Sequence, residues 1–255
     1  MKLVIEDNVK CELFINIFQN TKAFSDTFTI NIREDAFYIQ GMDASHISIF
    51  EILLSREWFT KFEFEKEHSI GVSNAIFPKL LSTWTSDHRI TLQHSNADKL
   101  DISFEKITGN SEYNKYFEMP LVEIEEELMH IPEQEYTIDI EFDSRKLKKL
   151  IDELMIIGET ANITCNESEI NAKTESIEGS MKINIPFDDI EAYSIEEGEI
   201  IDVNYSLKYI KNMCLFSKIS PTVNLHITNG TPMQLKYDME NDSYVRFYLA
   251  PQMEE

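Results

Sequence analysis

Apolar and polar positions alternate in short runs through the first half of the chain: Thr27–Ile32, Ala36–Gln40, His46–Phe50, Trp58–Phe64, Arg89–Gln93 and Lys99–Phe104. A period of two turns every second side chain to one face, so these runs predict antiparallel strands joined by short turns. Two stretches break the rhythm. Asn8–Asn20 carries Val9, Leu13 and Ile17 four apart, the spacing of a helix face, and Asn74–Thr83 reads as a second short helix. From Tyr136 the pattern begins again. A strand at Thr137–Phe142 precedes a helix at Ser144–Leu154, then strands at Asn162–Cys165, Met181–Ile185 and Ile200–Asn204. A helix at Ser206–Phe216 follows, and strands at Thr222–Ile227, Met233–Tyr237 and Tyr244–Leu249 close the chain.

Between the two copies lies Met119–Tyr136, an acidic run flanked by Pro120 and Pro132, which suits an extended connector better than a helix or an inner strand. The division is therefore 1–118, a connecting loop 119–136, and 137–255. Halves of nearly equal length with the same element order imply an internal duplication. The fold class is α+β, mostly sheet with few helices.

Composition changes this picture at one point. The chain has 255 residues and 42% hydrophobic positions, enough for a large core, but 46 Asp and Glu against 23 Lys and Arg leave a formal charge of −23. Such a field repels DNA, RNA and anionic membranes at long range, so a nucleic-acid role requires the basic residues to be segregated onto one face. They are unevenly placed. In the helix at Ser144–Leu154, Leu147, Leu150, Ile151 and Leu154 mark the apolar side, and Arg145, Lys146, Lys148 and Lys149 occupy the rest. Lys208, Lys211 and Lys218 lie on or just beyond the helix at Ser206, and Lys10, Lys22 and Lys79 belong to the first two helices. Two readings follow from charge: ordinary solvated helix surfaces, or a basic helical face inside an acidic shell.

Catalytic chemistry finds little support. Seven glycines leave no G-x-G-x-x-G or G-x-x-x-x-G-K-[ST] loop, and there is no G-x-S-x-G, H-E-x-x-H or D-x-[DN]-x-[DN]-G pattern. Asp43 with His46, or the acids Glu123–Glu127, are weak catalytic or metal candidates, because a lone His beside a strand is usually structural and a linker acid run is usually solvated. Cys11, Cys165 and Cys214 are odd in number and scattered, which fits a reducing compartment and buried apolar roles. No catalytic residue, cofactor or metal is expected, and no segment is apolar enough to span a membrane.

Three segments carry a family resemblance: Gly41-Met-Asp-Ala-Ser-His-Ile47, Ile131-Pro-Glu-Gln-Glu-Tyr136 and Tyr248-Leu-Ala-Pro-Gln-Met-Glu-Glu255. In order and spacing they resemble proliferating cell nuclear antigen, the DNA sliding clamp of eukaryotes, archaea and some large DNA viruses. The resemblance implies two similar domains, each a repeated βαβββ unit, with outer antiparallel sheets and inner helices, closed head to tail as a homotrimeric ring. Strands near Glu112–Met119 and Glu178–Ile185 would pair between subunits. Double-stranded DNA would thread the hole against the ten helical bases named above, held without sequence readout.

The resemblance also implies docking of DNA polymerase, flap nuclease, ligase and clamp loader through a PIP-box peptide, Q-x-x-Φ-x-x-aromatic-aromatic. Its pocket would comprise Met42, His46 and Ile47; Leu128 or Met129, Ile131, Pro132 and Tyr136 of the loop; and Pro232, Tyr248, Ala250 and Pro251. The connecting loop is one residue longer than the family pattern before Ile131, Ala44 replaces a usual serine, and Glu167 stands where a modifiable lysine is usual. The implied location is the nucleus, or a viral replication compartment. Two alternatives share part of these features: a subunit of a heterotrimeric checkpoint or replication clamp, and an acidic β-rich interaction protein that binds no DNA.

Overall fold

The structure is a computed structural model that describes residues 1–96, 98–108, 113–124 and 128–252. Glu112, the acids Glu125–Glu127 and the tail Met253–Glu255, named among the sequence motifs, lie outside the described residues. The chain forms two compact units. One holds Met1–Gly41, Glu51–Met129 and Met239–Tyr244; the other holds Met42–Phe50, His130–Asp238 and Val245–Glu255.

The N-terminal half begins with β1 (Lys2–Ile5), α1 (Asn8–Thr21), β2 (Thr27–Ile32), β3 (Ala36–Met42) and β4 (Ser48–Ser55). It continues with β5 (Lys61–Glu63), β6 (His68–Ser73), α2 (Phe77–Leu81), β7 (His88–Asn96), β8 (Lys99–Lys106) and β9 (Lys115–Pro120). A five-stranded antiparallel sheet runs β5-β1-β7-β8-β9, and β2 pairs with both β3 and β6. Asp7 starts α1 by accepting the Lys10 N–H at 2.9 Å, the usual way an orphan helix donor is satisfied. The core is an aromatic cluster: Phe18 lies 4.7 Å from Phe14, 4.9 Å from Phe77 and 5.5 Å from Phe28, ring to ring.

The second unit repeats the order with β10 (Ile138–Asp143), α3 (Ser144–Leu154), β11 (Thr160–Cys165), β12 (Ile170–Ser176), β13 (Gly179–Ile185) and β14 (Ala192–Ile195). Then come β15 (Ile201–Ser206), α4 (Leu207–Met213), β16 (Thr222–Ile227), β17 (Met233–Asp238) and β18 (Tyr244–Leu249). A four-stranded sheet runs β13-β12-β11-β15, while β10 pairs with β14 and β16, and β16 with β17. Every one of these pairings is antiparallel. The βαβββ order thus occurs twice in each half of the chain, with β5 and β14 as additional short strands.

Several sequence expectations need correction. Val9, read as part of the buried stripe of α1, is 65% exposed, and the buried face is Cys11, Phe14, Ile15, Ile17, Phe18 and Thr21. The aromatic residues decided the rotation, because burying two Phe rings outweighs burying one Val. Leu150 likewise sits half-exposed at the margin of α3. The run Trp58–Phe64 is not one strand: a 3-10 turn at Arg56–Trp58 precedes the short β5. The helix expected over Asn74–Thr83 shrinks to Phe77–Leu81, because buried Asn74 caps other elements, accepting from Thr21 Oγ1 at 2.9 Å and donating to Ser25 O at 2.7 Å. The helix expected over Ser206–Phe216 ends at Met213 and tightens into a 3-10 turn, Cys214–Phe216. β1, β6, β12 and β14 were not legible as strands.

Candidate functional site

In the second unit, α3 starts where Asp143 accepts the backbone N–H groups of Arg145 and Lys146, each at 2.9 Å. That cap fixes the phase, so Leu147, Ile151 and Leu154 face inward and the bases face solvent. Part of the charge is engaged within the chain. Lys148 pairs with Asp152 at 3.0 Å and Lys149 with Glu153 at 3.6 Å, both four residues apart on the helix. From α4, Lys211 reaches the same Asp152 at 3.5 Å, and Lys146 donates to the Asp189 carbonyl at 3.2 Å. The Lys148 ammonium, with Lys211 beyond it, holds the Asp152 carboxyl below the usual carboxylate range. Among the described residues, Arg145, Lys208 and Lys218 are exposed and carry no ion pair.

In the first unit the basic residues diverge. Lys22 and Lys79 are exposed. Lys10 is not a solvent-facing base: its ammonium donates to the Trp58 carbonyl at 3.1 Å, lies 5.6 Å from the Trp58 ring and 3.6 Å from Glu240. Its stem crosses the indole because the 3-10 turn brings Trp58 against α1.

Of the docking candidates, Ile47 and Ala250 are brought together in the second unit, beside a short loop. His46 was expected to open a strand, but it has a φ of 58° and β4 begins at Ser48. The reason is Asp43. Its carboxylate accepts the N–H groups of Ser45 at 2.8 Å, Ile47 at 2.9 Å and Ser48 at 2.6 Å, and the Ser48 hydroxyl at 3.2 Å. Burial pushes the Asp43 carboxyl up, and the backbone donors of Ser48, Ser45 and Ile47 more than offset it, leaving the group below its ordinary value. Tyr209 of α4 adds its hydroxyl at 3.3 Å, tying the loop to the helix layer. Asp43 is thus a structural anchor for the loop rather than half of a catalytic pair.

Loop and tail are joined directly. Ala250 N–H donates to the Ile47 carbonyl at 3.1 Å, and Gln252 N–H donates to Asn204 O at 2.8 Å. Gln252 also accepts from Thr160 Oγ1 at 2.8 Å, so the backbone on either side of Pro251 is fixed. Tyr248 is buried beneath Arg246, whose guanidinium lies 5.3 Å from the ring, whereas Ile47 is 38% exposed. Met42, Ile131, Pro232 and Pro251 are half-buried, and His46 and Pro132 are exposed. Tyr136 packs against the β16–β17 pair, its ring 5.4 Å from His226 and its hydroxyl accepting from Gln234 at 3.4 Å. Leu128 and Met129 fall in the first unit; Leu128 is exposed, and the Met129 backbone is held by the Gln40 side chain. Sequence reading missed Tyr209 and Gln40. The Asp43-Ala-Ser45 sequence is a usable signal for the turn, since Asp carboxylates cap the N–H two residues on.

The comparisons with known proteins agree in one direction. Residues 6–128 match the proliferating cell nuclear antigen N-terminal domain, and residues 130–252 match the C-terminal domain of the same family. The chain belongs to the proliferating cell nuclear antigen family. It is similar to the proliferating cell nuclear antigen of Chaetomium thermophilum, 28% identical over 224 residues, covering 84% of this chain and 85% of that protein. To that of Dictyostelium discoideum it is 24% identical over 252 residues, covering 96% and 98%. Its fold matches a chain in a PCNA2–PCNA3 complex from Sulfolobus tokodaii with a TM-score of 0.87, 23% identity and full coverage of both chains. This is a PCNA-family sliding clamp, with two PCNA domains built of antiparallel sheets and a few helices, in a family of non-enzymatic clamps.

Proposed function

We propose that the chain closes with two further copies into a ring around duplex DNA and recruits replication and repair enzymes through PIP-box peptides. The observation that carries this reading is the separation of charge: a chain of net charge −23 presents Arg145, Lys208 and Lys218 unpaired on or beside the helices of one unit, and Lys22 and Lys79 on the other. Phosphate contacts of that kind are sequence-blind and weakened by salt, as sliding requires, and retention is then topological.

Ring closure has its own support. β9 and β13 are the end strands of their sheets, each with one unpaired side among the described residues. Pairing β9 of one copy with β13 of the next would cover both edges. The Asp43-anchored loop, fixed to the tail through Ile47 and Ala250, supplies a partly apolar seat for a helical-turn peptide.

Solution mass by size exclusion with light scattering tests closure. About three times 29.8 kDa, persisting on dilution, is the expected result. A stable monomer would instead favour a hetero-oligomeric ring, a reading supported by the PCNA2–PCNA3 complex with which the chain shares its fold.

A further inference from the structure

We propose that Gln40 is a positioning residue for partner-peptide docking, a role that rests on the docking reading above: its side-chain amide clamps Met129 and so fixes where the loop residues Ile131 and Pro132 begin. Gln40, on β3, is 7% exposed. Its Oε1 accepts the Met129 N–H at 2.7 Å and its Nε2 donates to the Met129 carbonyl at 3.0 Å. A side chain here supplies the reciprocal pair that a neighbouring strand would otherwise give. Among the described residues 128–136, Met129 is the one whose backbone is hydrogen-bonded.

The direction of the clamp is set by what lies behind it. Nε2 also donates to the Tyr38 hydroxyl at 3.2 Å, and that hydroxyl donates to Glu51 Oε1 at 2.5 Å, with Tyr38 and Glu51 both buried. A hydroxyl has one hydrogen, and Tyr38 gives it to Glu51, so its oxygen is left to accept from Gln40. The amide nitrogen must then face Tyr38, and the amide oxygen is left for the Met129 N–H. Burial and the Glu51 carboxylate both push the Tyr38 hydroxyl far above its ordinary range, so the donor persists at any working pH.

Gln40 and Met129 both belong to the first unit, each just before the chain passes into the second. Gln40 precedes Met42 by two residues, and Met129 precedes Ile131 by two. A peptide that docks on Met42, Ile131 and Pro132 therefore meets residues ordered beforehand, and the entropy of ordering them is not charged against binding.

The test uses the full chain and a synthetic Q-x-x-Φ-x-x-aromatic-aromatic peptide. Gln40→Met preserves size without the amide, and Gln40→Glu preserves shape while facing the Met129 carbonyl with an oxygen. Gln40→Met removes both bonds and is expected to abolish exchange protection of the Met129 amide, whereas Gln40→Glu still offers that N–H an oxygen and is expected to keep part of it. Both are expected to leave Ile39 in β3 protected and to weaken the peptide, Gln40→Met about tenfold, mainly through faster dissociation. Should these fail to fold, Tyr38→Phe leaves Gln40 in place with its amide free to turn, and must lower both readouts. Unchanged peptide affinity in the folded variants, with Ile131→Ala weakening it, overturns the role of Gln40 alone. No binding by the unaltered chain overturns the docking reading and the positioning role with it.

Discussion

Single residues decide more here than their types advertise. Asp43 lies in the Gly41–Ile47 segment and its work is local: three backbone N–H groups and two hydroxyls converge on one carboxylate. Charge-assisted bonds of this kind each contribute about 1.5–3 kcal/mol, and removing the acceptor strands several donors at once. Asp43→Ala is expected to lower unfolding stability by about 2–4 kcal/mol near neutral pH, measured by urea denaturation. The sign with pH follows from the lowered carboxyl. A group whose folded value lies below its ordinary 3.8 stabilises the fold above that value and loses the contribution as pH falls through the folded value. The gap between the parent and the variant should therefore be full at neutral pH and shrink in acid below about pH 4. Lys10 makes the opposite point. As a lysine on a helix it reads as a candidate phosphate contact, and only the turn that carries Trp58 shows it satisfied inside the unit.

Among elements, the phase of a helix and the path of the connecting loop matter most. Helix α3 was legible because its apolar spacing and its Asp143 cap agree, whereas α1 was mis-rotated because Val9, Leu13 and Ile17 formed a plausible stripe beside a larger aromatic one. Pairs within α3 and from α4 to α3 divide the bases of the two helices. Lys148 and Lys211 already share Asp152, so Arg145 and Lys208 hold more charge for a phosphate. Arg145→Glu with Lys208→Glu should shorten dwell time on closed circular DNA and reduce the salt slope by about 0.9 per contact removed, with the oligomer intact. Lys10→Ala should lower stability and leave dwell time unchanged. The loop itself is seated by a close approach no pattern announces. Val122 N–H donates to Gly71 O at 3.0 Å, and a Cβ on Gly71 would lie 2.0 Å from the Val122 carbonyl. Gly71→Ala must push the start of the loop off β6, a loss of about 1–3 kcal/mol that urea unfolding would register.

For the whole molecule, charge acts in two directions at once. Each copy carries −23, so in the proposed ring association of copies would work against mutual repulsion, while DNA binding would release counterions from the phosphates. Raising salt from about 50 to 200 mM should therefore make the oligomer more resistant to dilution and its hold on linear duplex weaker. Light scattering and a DNA-retention assay at matched salt would read both, and parallel trends would count against a basic interior in an acidic shell. By itself the sequence determined the duplication, the α+β class and the family. Those follow from periodicity, composition and contiguous motifs, which are local along the chain. The tertiary structure decided which face α1 buries, that Lys10 is internally satisfied, that His46 sits in an Asp43-anchored turn, and that Gln40 grips Met129. Each of these joins residues far apart in sequence, and the choice among locally acceptable arrangements is made by packing volume and by the cost of leaving a buried polar group unpaired.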